Sequence, residues 1–405
     1  ILYRILKKHT GVHPQWGILT GIRPVKRFQH GLDAGQSLEE TRREFREKYY
    51  VSDEKIALAE QISRVQQPVL KSVSLQDYSL YISIPYCPSR CSYCSFVSHS
   101  IDHPKAKKLI PDYVNLLVKE IFFTAEICRN SGGNLRSIYI GGGTPTALSA
   151  EQLKTITDAV KAAFRPEPGM EYTIEAGRPD TITREKLQVI YDAGANRVSI
   201  NPQSFEERVL EAVGRKHTAQ QVVDCYNMAR QFGFDTINMD LIAGLPGDTL
   251  EGFQRSLDKA LELGPENITV HALSVKRAAD LYTQRNGSED YSAAQKMVAY
   301  ACQELTGAGY LPYYLYRQKN IVGNLENVGY AKPGHIGLYN IFIMEEVQHI
   351  AAVGAGAVSK AVFPGRIERV FNYKYPYEYI GKFADILSRK EQFGAFLKEA
   401  GSDVK

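Results

Sequence analysis

Short runs rich in β-branched and aromatic residues recur through the middle of the chain, separated by longer stretches whose apolar residues fall at helical spacing. The runs are Ser79–Ile84, Ser137–Ile140, Tyr172–Glu175, Arg197–Ile200, Thr236–Ile242 and Asn267–Ala272. Between the second and third lies EQLKTITDAVKAAF, where Leu153, Ile156, Val160 and Phe164 share one helical face. Strands alternating with helices in this way predict βα units and a parallel sheet. Six units predict an α/β fold built on a partial (βα)6 barrel, open on one side. In such barrels chemistry sits at the C-terminal ends of the strands.

The pattern differs at both ends. Residues 1–75 are polar and charged, with helical stretches at Ser37–Tyr49 and Asp53–Val69 and a Gly/Pro-punctuated segment, GILTGIRPVK, from Gly17 to Lys26. They predict a helical N-terminal segment packed on the barrel, which itself occupies 76–289. Residues 290–405 begin with a helix, Ala293–Leu305, and continue through the aromatic YLPYYLYRQKN, the stretch Asn340–Val353 and the turn GAGAV. This predicts a small α+β C-terminal region that closes the open side of the barrel and contributes to a substrate site.

Composition narrows the class. In 405 residues, 44% hydrophobic and 23% charged content match an ordinary globular protein rather than a disordered one. A net charge of +4 is mild for this length and gives no reason to invoke nucleic acid. No apolar run is long enough to span a bilayer and no secretory leader is visible, so a cytoplasmic protein without a membrane partner is expected. The first residue is Ile1 rather than Met, as expected of a processed or truncated form. Six cysteines are too few for a disulfide framework, and three of them fall within eight residues, which points to metal.

Those three, Cys87, Cys91 and Cys94, lie in YISIPYCPSRCSYCSF directly after a strand, with the spacing C-x3-C-x2-C. Thiolates hold iron–sulfur clusters, and a 4Fe–4S cube normally takes four, so three local cysteines leave one iron open to chelate the amino and carboxylate groups of S-adenosylmethionine (SAM). The alternative is a zinc knuckle completed by His99, His103 or a distant cysteine. Cys128, Cys225 and Cys302 lie in helical patterns and are expected to be core residues. After the second strand, IYIGGGTPT offers Gly141, Gly142 and Gly143, where the lack of Cβ atoms lets backbone approach a ligand.

The cysteine loop, the glycine run and the later DLIAGLPG resemble the radical SAM superfamily, and within it the oxygen-independent coproporphyrinogen III oxidase group. The resemblance runs from about Tyr81 to about Lys360; YRQKNIVGNLENVGY and IMEEVQHIAAVGAGA are similar to HemZ-type coproporphyrinogen dehydrogenases. It implies that Cys87, Cys91 and Cys94 ligate the cluster and that the loop of Gly142, Gly143 and Thr144 meets the methionine part of SAM. It also implies that Glu175 in IEAGRP, Gln203 in INPQSF, Arg215 in VGRKH and Asp240 in NMDLIAGLPG hold the ribose and the methionine amino and carboxylate groups. Tyr81 either reaches SAM or belongs to the core, and Phe96 is placed to shield the adenine. The coproporphyrinogen oxidases carry a further cysteine at the position of Phe96, and this chain departs from that pattern.

The implied activity is oxidative decarboxylation of tetrapyrrole propionates to vinyl groups, with electrons from a donor such as flavodoxin or ferredoxin. Four propionates around a broad apolar ring call for cations and flat aromatic surfaces. The candidates are Lys276, Arg277, Tyr313, Tyr314, Tyr316, Arg317 and Lys319, which a half-buried strand with a solvated edge explains equally well. Two rivals share the barrel and cluster: a heme-binding chaperone without oxidase activity, and a radical SAM methyltransferase that opens heme anaerobically.

Overall fold

Side chains alternate across a strand, and in the central strands that alternation separates apolar residues from polar ones. The computed structural model describes every residue except 1, 12, 20, 22, 97, 275–278, 280, 282–290, 319–320 and 403–405. Six strands pair in parallel in chain order: β1 (Asp77–Ile84), β2 (Asn134–Gly142), β3 (Glu171–Glu175), β4 (Arg197–Ser199), β5 (Thr236–Ala243) and β6 (Asn267–Ala272). One face carries Ile82, Ile140, Ile174, Met239 and Ile268, all fully buried. The other face carries Tyr81, Tyr139, Thr173, Glu175, Asn238, Asp240, Thr269 and His271, which line a central cavity. Register keeps these in layers, Tyr81 beside Tyr139, Tyr139 beside Thr173, and Asp240 beside Thr269. The partial barrel expected from the sequence is present, with a polar interior.

Helices cover the apolar face and begin where the sequence caps them. Ser149 and Gln152 form a reciprocal capping box on the helix Ala150–Phe164, as Thr218 and Gln221 do on Ala219–Arg230. Leu153, Ile156 and Val160 are fully buried on the predicted stripe, and Phe164 packs on Tyr78. Cys128 and Cys225 are buried and Cys302 half-buried, all on helices.

The C-terminal residues join the barrel sheet itself. Five further strands, β7 (Leu311–Tyr316), β8 (Asn327–Ala331), β9 (His349–Val353), β10 (Val358–Phe363) and β11 (Arg366–Phe371), complete one sheet of eleven. Its order is β11-β10-β9-β1-β2-β3-β4-β5-β6-β8-β7. β9 adds a parallel strand beyond β1, while β8 and β10 pair antiparallel at the two edges. The lower end of the barrel is filled by the helix Leu338–Glu345. Its first N–H groups, on Leu338 and Tyr339, donate to the Glu171 carboxylate at 2.6 and 2.7 Å. Tyr339 stacks on Tyr139 with ring centroids 4.5 Å apart.

The N-terminal helices pack on the β7–β8 hairpin. Trp16 Nε1 donates to Glu326 at 2.7 Å, Lys55 pairs with the other oxygen of the same carboxylate, and Gln66 donates to the Tyr313 carbonyl. Within GILTGIRPVK a helix, Pro24–Asp33, starts at the proline, whose missing N–H costs nothing at that position. At the other end, Lys390 on the helix Phe383–Ser402 is fully buried and pairs with the equally buried Glu120 at 3.1 Å. Glu120 also accepts from Gly354 N, Asn372 Nδ2 and Tyr379 Oη. Removing one partner of such a pair strands a buried charge. Lys390→Ala is expected to cost about 3–5 kcal/mol in urea unfolding, and an unfolding midpoint equal to wild type would contradict this role for the pair.

Candidate active site

The site begins where β1 and β2 end. Chain leaving β1 passes through a two-residue strand, Tyr86–Cys87, and turns through Cys91 and Cys94. Two backbone bonds prolong the β1–β2 ladder into this loop, Gly143 N to Ile84 O and Thr144 N to Tyr86 O, both 2.7 Å. They bring the glycine loop so close that a Cβ on Gly143 would lie 2.5 Å from Tyr86 O and 3.0 Å from Cys87 Sγ. Gly141 clears the Glu175 carboxyl in the same way, since a Cβ there would lie 2.9 Å from it. Thr144 Oγ1 sits 3.4 Å from Cys87 Sγ.

All three cysteines of the loop are free thiols, Cys91 buried and the others half-buried. Burial pushes the Cys87 thiol up and the Cys94 thiol up to about 11, with neighbouring cysteines adding to both. A thiol in this state ionises when a metal supplies compensating charge. Among the described residues no three His, Cys, Asp or Glu side chains gather closely enough to surround one metal ion. Three such thiols on one short loop are a donor set suited to a 4Fe–4S cluster, which takes thiolate ligands. The His99 ring packs against Tyr375 in a T-shaped contact, with centroids 6.2 Å apart.

The strand ends opposite supply the remaining polar groups. Glu175 accepts from Tyr139 Oη and from Gly142 N, and burial pushes its carboxyl up to about 7. Gln203 holds a left-handed backbone at φ 67°, a conformation a long side chain adopts only under constraint. Its N–H donates to Asp240 O and its carbonyl accepts from Ile242 N, both at 2.9 Å. The constraint aims a side chain whose Oε1 is buried without a partner. Arg215 spends its guanidinium on Tyr93 Oη, Gly177 O and Asn201 O, and leaves Nε unpartnered. Asn201 Oδ1 is likewise buried and unpaired. Asp240 is pushed up by burial but held below its ordinary value overall by His271, Asn238 and Thr269, with His271 Nε2 at 3.7 Å. These orphaned atoms and the glycine cradle fit a ligand carrying amino, carboxylate and hydroxyl groups, as SAM does.

Behind the loop a cavity of about 530 Å³ runs down the barrel. Tyr81, Tyr139, Tyr314, Tyr316 and Tyr339 line it, and Phe96 stands at its edge, 62% exposed. Tyr81 is thus a cavity residue, stacked on Tyr139 and Tyr339. Tyr313 also lines the cavity, its hydroxyl accepting from Asn340 Nδ2 at 3.0 Å. Arg317 does not join them. Its side chain donates to Leu19 O and to Asn324 and lies over the Trp16 ring, contacts that hold it on the N-terminal segment. Lys276, Arg277 and Lys319 lie outside the described residues. Sequence reading passed over Tyr139, Asn201, His271 and Arg178. The signal was present for Arg178, which sits in IEAGRP three positions after Glu175.

A sequence model described as the radical SAM superfamily matches residues 81–260. The chain is 40% identical to the oxygen-independent coproporphyrinogen-III oxidase-like protein HemZ of Bacillus subtilis, over 97% of this chain and 79% of that protein. It is 32% identical to the heme chaperone HemW of Escherichia coli, over 75% of this chain and 76% of that one. Its fold matches the coproporphyrinogen III oxidase HemN of Escherichia coli with a TM-score of 0.63 at 22% identity, covering 79% of this chain and 73% of that one.

The geometry gives two expected outcomes. Gly143→Ala is expected to abolish cluster uptake, measured as iron and sulfide after anaerobic reconstitution, because the added carbon meets backbone rather than a movable side chain. Glu175 retains its proton up to about pH 7 in the folded chain and ionises near 4.5 when unfolded, so its stabilisation is complete below 4.5 and lost as pH rises to about 7. The loss is up to about 3 kcal/mol, and Glu175→Gln is expected to flatten it in urea unfolding of the ligand-free protein across that window.

Proposed function

The chain belongs to the radical SAM superfamily and to its HemN, HemZ and HemW group, and from that premise we propose that it is a coproporphyrinogen dehydrogenase-like oxidoreductase. Its reaction in this reading is the oxygen-independent decarboxylation of coproporphyrinogen III propionates to vinyl groups in heme biosynthesis. The observation that carries the reading is a tyrosine-lined cavity of about 530 Å³ whose lining also takes in Phe96, two positions after Cys94, and Gly142 of the glycine loop. A 4Fe–4S cluster and SAM, if bound at this loop, would supply the radical chemistry of hydrogen-atom abstraction.

The protein's own groups divide the work. Cys87, Cys91 and Cys94 hold the cluster. Gly143 and Thr144 would meet the methionine part of SAM, and Asn201 Oδ1, Gln203 Oε1 and Arg215 Nε are buried polar atoms with capacity to spare for its charged end. Glu175 and Asp240 take hydroxyl or ammonium donors. Tyr81, Tyr139 and Tyr316 offer flat surface to a tetrapyrrole ring. Each vinyl formed requires the propionate to give up a hydrogen atom, carbon dioxide and one further electron, which passes to an acceptor; the reading also includes a cytoplasmic electron donor such as flavodoxin or ferredoxin, which would reduce the cluster for cleavage of SAM. Among the described residues no helix is long and apolar enough to cross a membrane.

One observation favours a heme chaperone of the same fold. Phe96, at the position where the resemblance implies a further cysteine in the oxidases, stands largely exposed at the cavity edge, where a flat ring would meet it.

Anaerobic reconstitution with SAM, reductant and coproporphyrinogen III, read by mass spectrometry, separates the readings. The expected product has lost two molecules of carbon dioxide and four hydrogens. With heme added in a parallel reaction, unchanged porphyrinogen and tight heme binding would replace the oxidase reading by the chaperone, and S-adenosylhomocysteine with opening of the added heme would replace it by the methyltransferase. Cys91→Ala is expected to form no 5′-deoxyadenosine, and retained formation would overturn the cluster assignment.

A further inference from the structure

We propose that Arg178 sets the reduction potential of the cluster by holding a fixed, buried positive charge and an N–H donor against the sulfur of Cys91. The inference rests on the reading of Cys87, Cys91 and Cys94 as cluster ligands. Arg178 lies just beyond the end of β3, and its side chain is only 4% exposed. Nη1 donates to Cys91 Sγ at 3.5 Å and to Ser89 O at 3.4 Å, and Nη2 donates to Ser89 Oγ at 3.0 Å. Asp180 grips the other edge, accepting from Nε and Nη2 at 3.0 Å each. A planar guanidinium held by a two-point carboxylate fork cannot rotate off the sulfur without breaking both bonds.

Reduction adds one negative charge to a cluster and spreads it over the sulfurs. A donor and a cation at one sulfur, in surroundings that screen poorly, favour that added charge and raise the potential. Asp180 works in the opposite sense, offsetting part of the charge while fixing its direction. Arg215 is also deeply buried nearby, but its donors go to Tyr93 and to backbone carbonyls rather than to a sulfur. Arg178 is therefore a positioning residue that acts through Cys91, distinct from the groups placed to meet SAM.

The two members of the Arg178–Asp180 pair give opposite signs. Wild type, Arg178→Gln, Arg178→Lys and Asp180→Asn are reconstituted anaerobically, assayed for iron and sulfide, and titrated potentiometrically with the reduced cluster followed by electron paramagnetic resonance. In Arg178→Gln the midpoint is expected to fall, with a roughly tenfold lower reduced-to-oxidised ratio at a given potential, about 59 mV for one electron. Arg178→Lys recovers part of that fall, and Asp180→Asn shifts the midpoint upward. Equal midpoints in wild type and Arg178→Gln, or shifts of the same sign in Arg178→Gln and Asp180→Asn, overturn the proposal. Should Arg178→Gln hold no cluster, Asp180→Asn decides alone: an upward shift supports the proposal, and an unmoved or lowered midpoint overturns it. A wild-type chain that takes up no iron overturns the ligand reading first, and the iron assay tells that failure apart from the others.

Discussion

The hydrogen bonds from Gly143 N to Ile84 O and from Thr144 N to Tyr86 O carry the β1–β2 ladder past the ends of both strands. They join the cysteine loop to the glycine loop through backbone, the least yielding connection a protein has, and set how closely the two approach. The cysteine loop is braced from its other side as well. Tyr113 Oη donates to Ser83 O and accepts from Ala355 N, while Ser83 Oγ donates to Ala355 O. Glu120, paired with the buried Lys390, holds Gly354 in turn. Residues near the C-terminus thus fix the seat of a loop more than 250 positions earlier, the Ser83–Ala355 bond alone spanning 272.

The interior of the barrel is polar, and its stability depends on pairing. Glu171 caps the helix Leu338–Glu345 and faces Arg197, whose guanidinium also donates to Thr236, Asn267 and His335 O. This lower layer is internally satisfied and leaves little capacity for a ligand. The upper layer is different: Asn201, Gln203 and Arg215 each retain a buried atom without a partner. The two cavity carboxylates also diverge, burial raising Glu175 while His271 and its neighbours outweigh burial at Asp240. Unspent capacity and divergent protonation at one end of a barrel are what a binding site requires and a packed core avoids.

The group to which the chain belongs includes named oxidases and named chaperones on one scaffold, so the barrel does not select between them. Selection falls to what the C-terminal residues place around the cavity. Here that is an aromatic wall of Tyr314, Tyr316 and Tyr339 with Phe96 at the edge, and Arg317 is withdrawn to brace Trp16. The described wall offers broad aromatic surface, and two cations that line it, Arg197 and Lys360, are paired with Glu171 and Glu346.

Most of the barrel was legible in the sequence. All six strand runs, the stripe on Ala150–Phe164 and the cysteine spacing are local patterns, and local patterns survive folding because strand and helix periods are set by the backbone. The positions of Cys87, Gly143 and Glu175 at the ends of successive strands followed from the same pattern. What the sequence alone did not determine was partnership between distant residues. That β9 pairs with β1, that the helix Leu338–Glu345 fills the barrel, that Arg317 faces Trp16 and that Arg178 reaches Cys91 all join segments far apart in the chain. Such contacts depend on which buried polar groups find each other once the sheet has closed around them, and only the tertiary structure decides that.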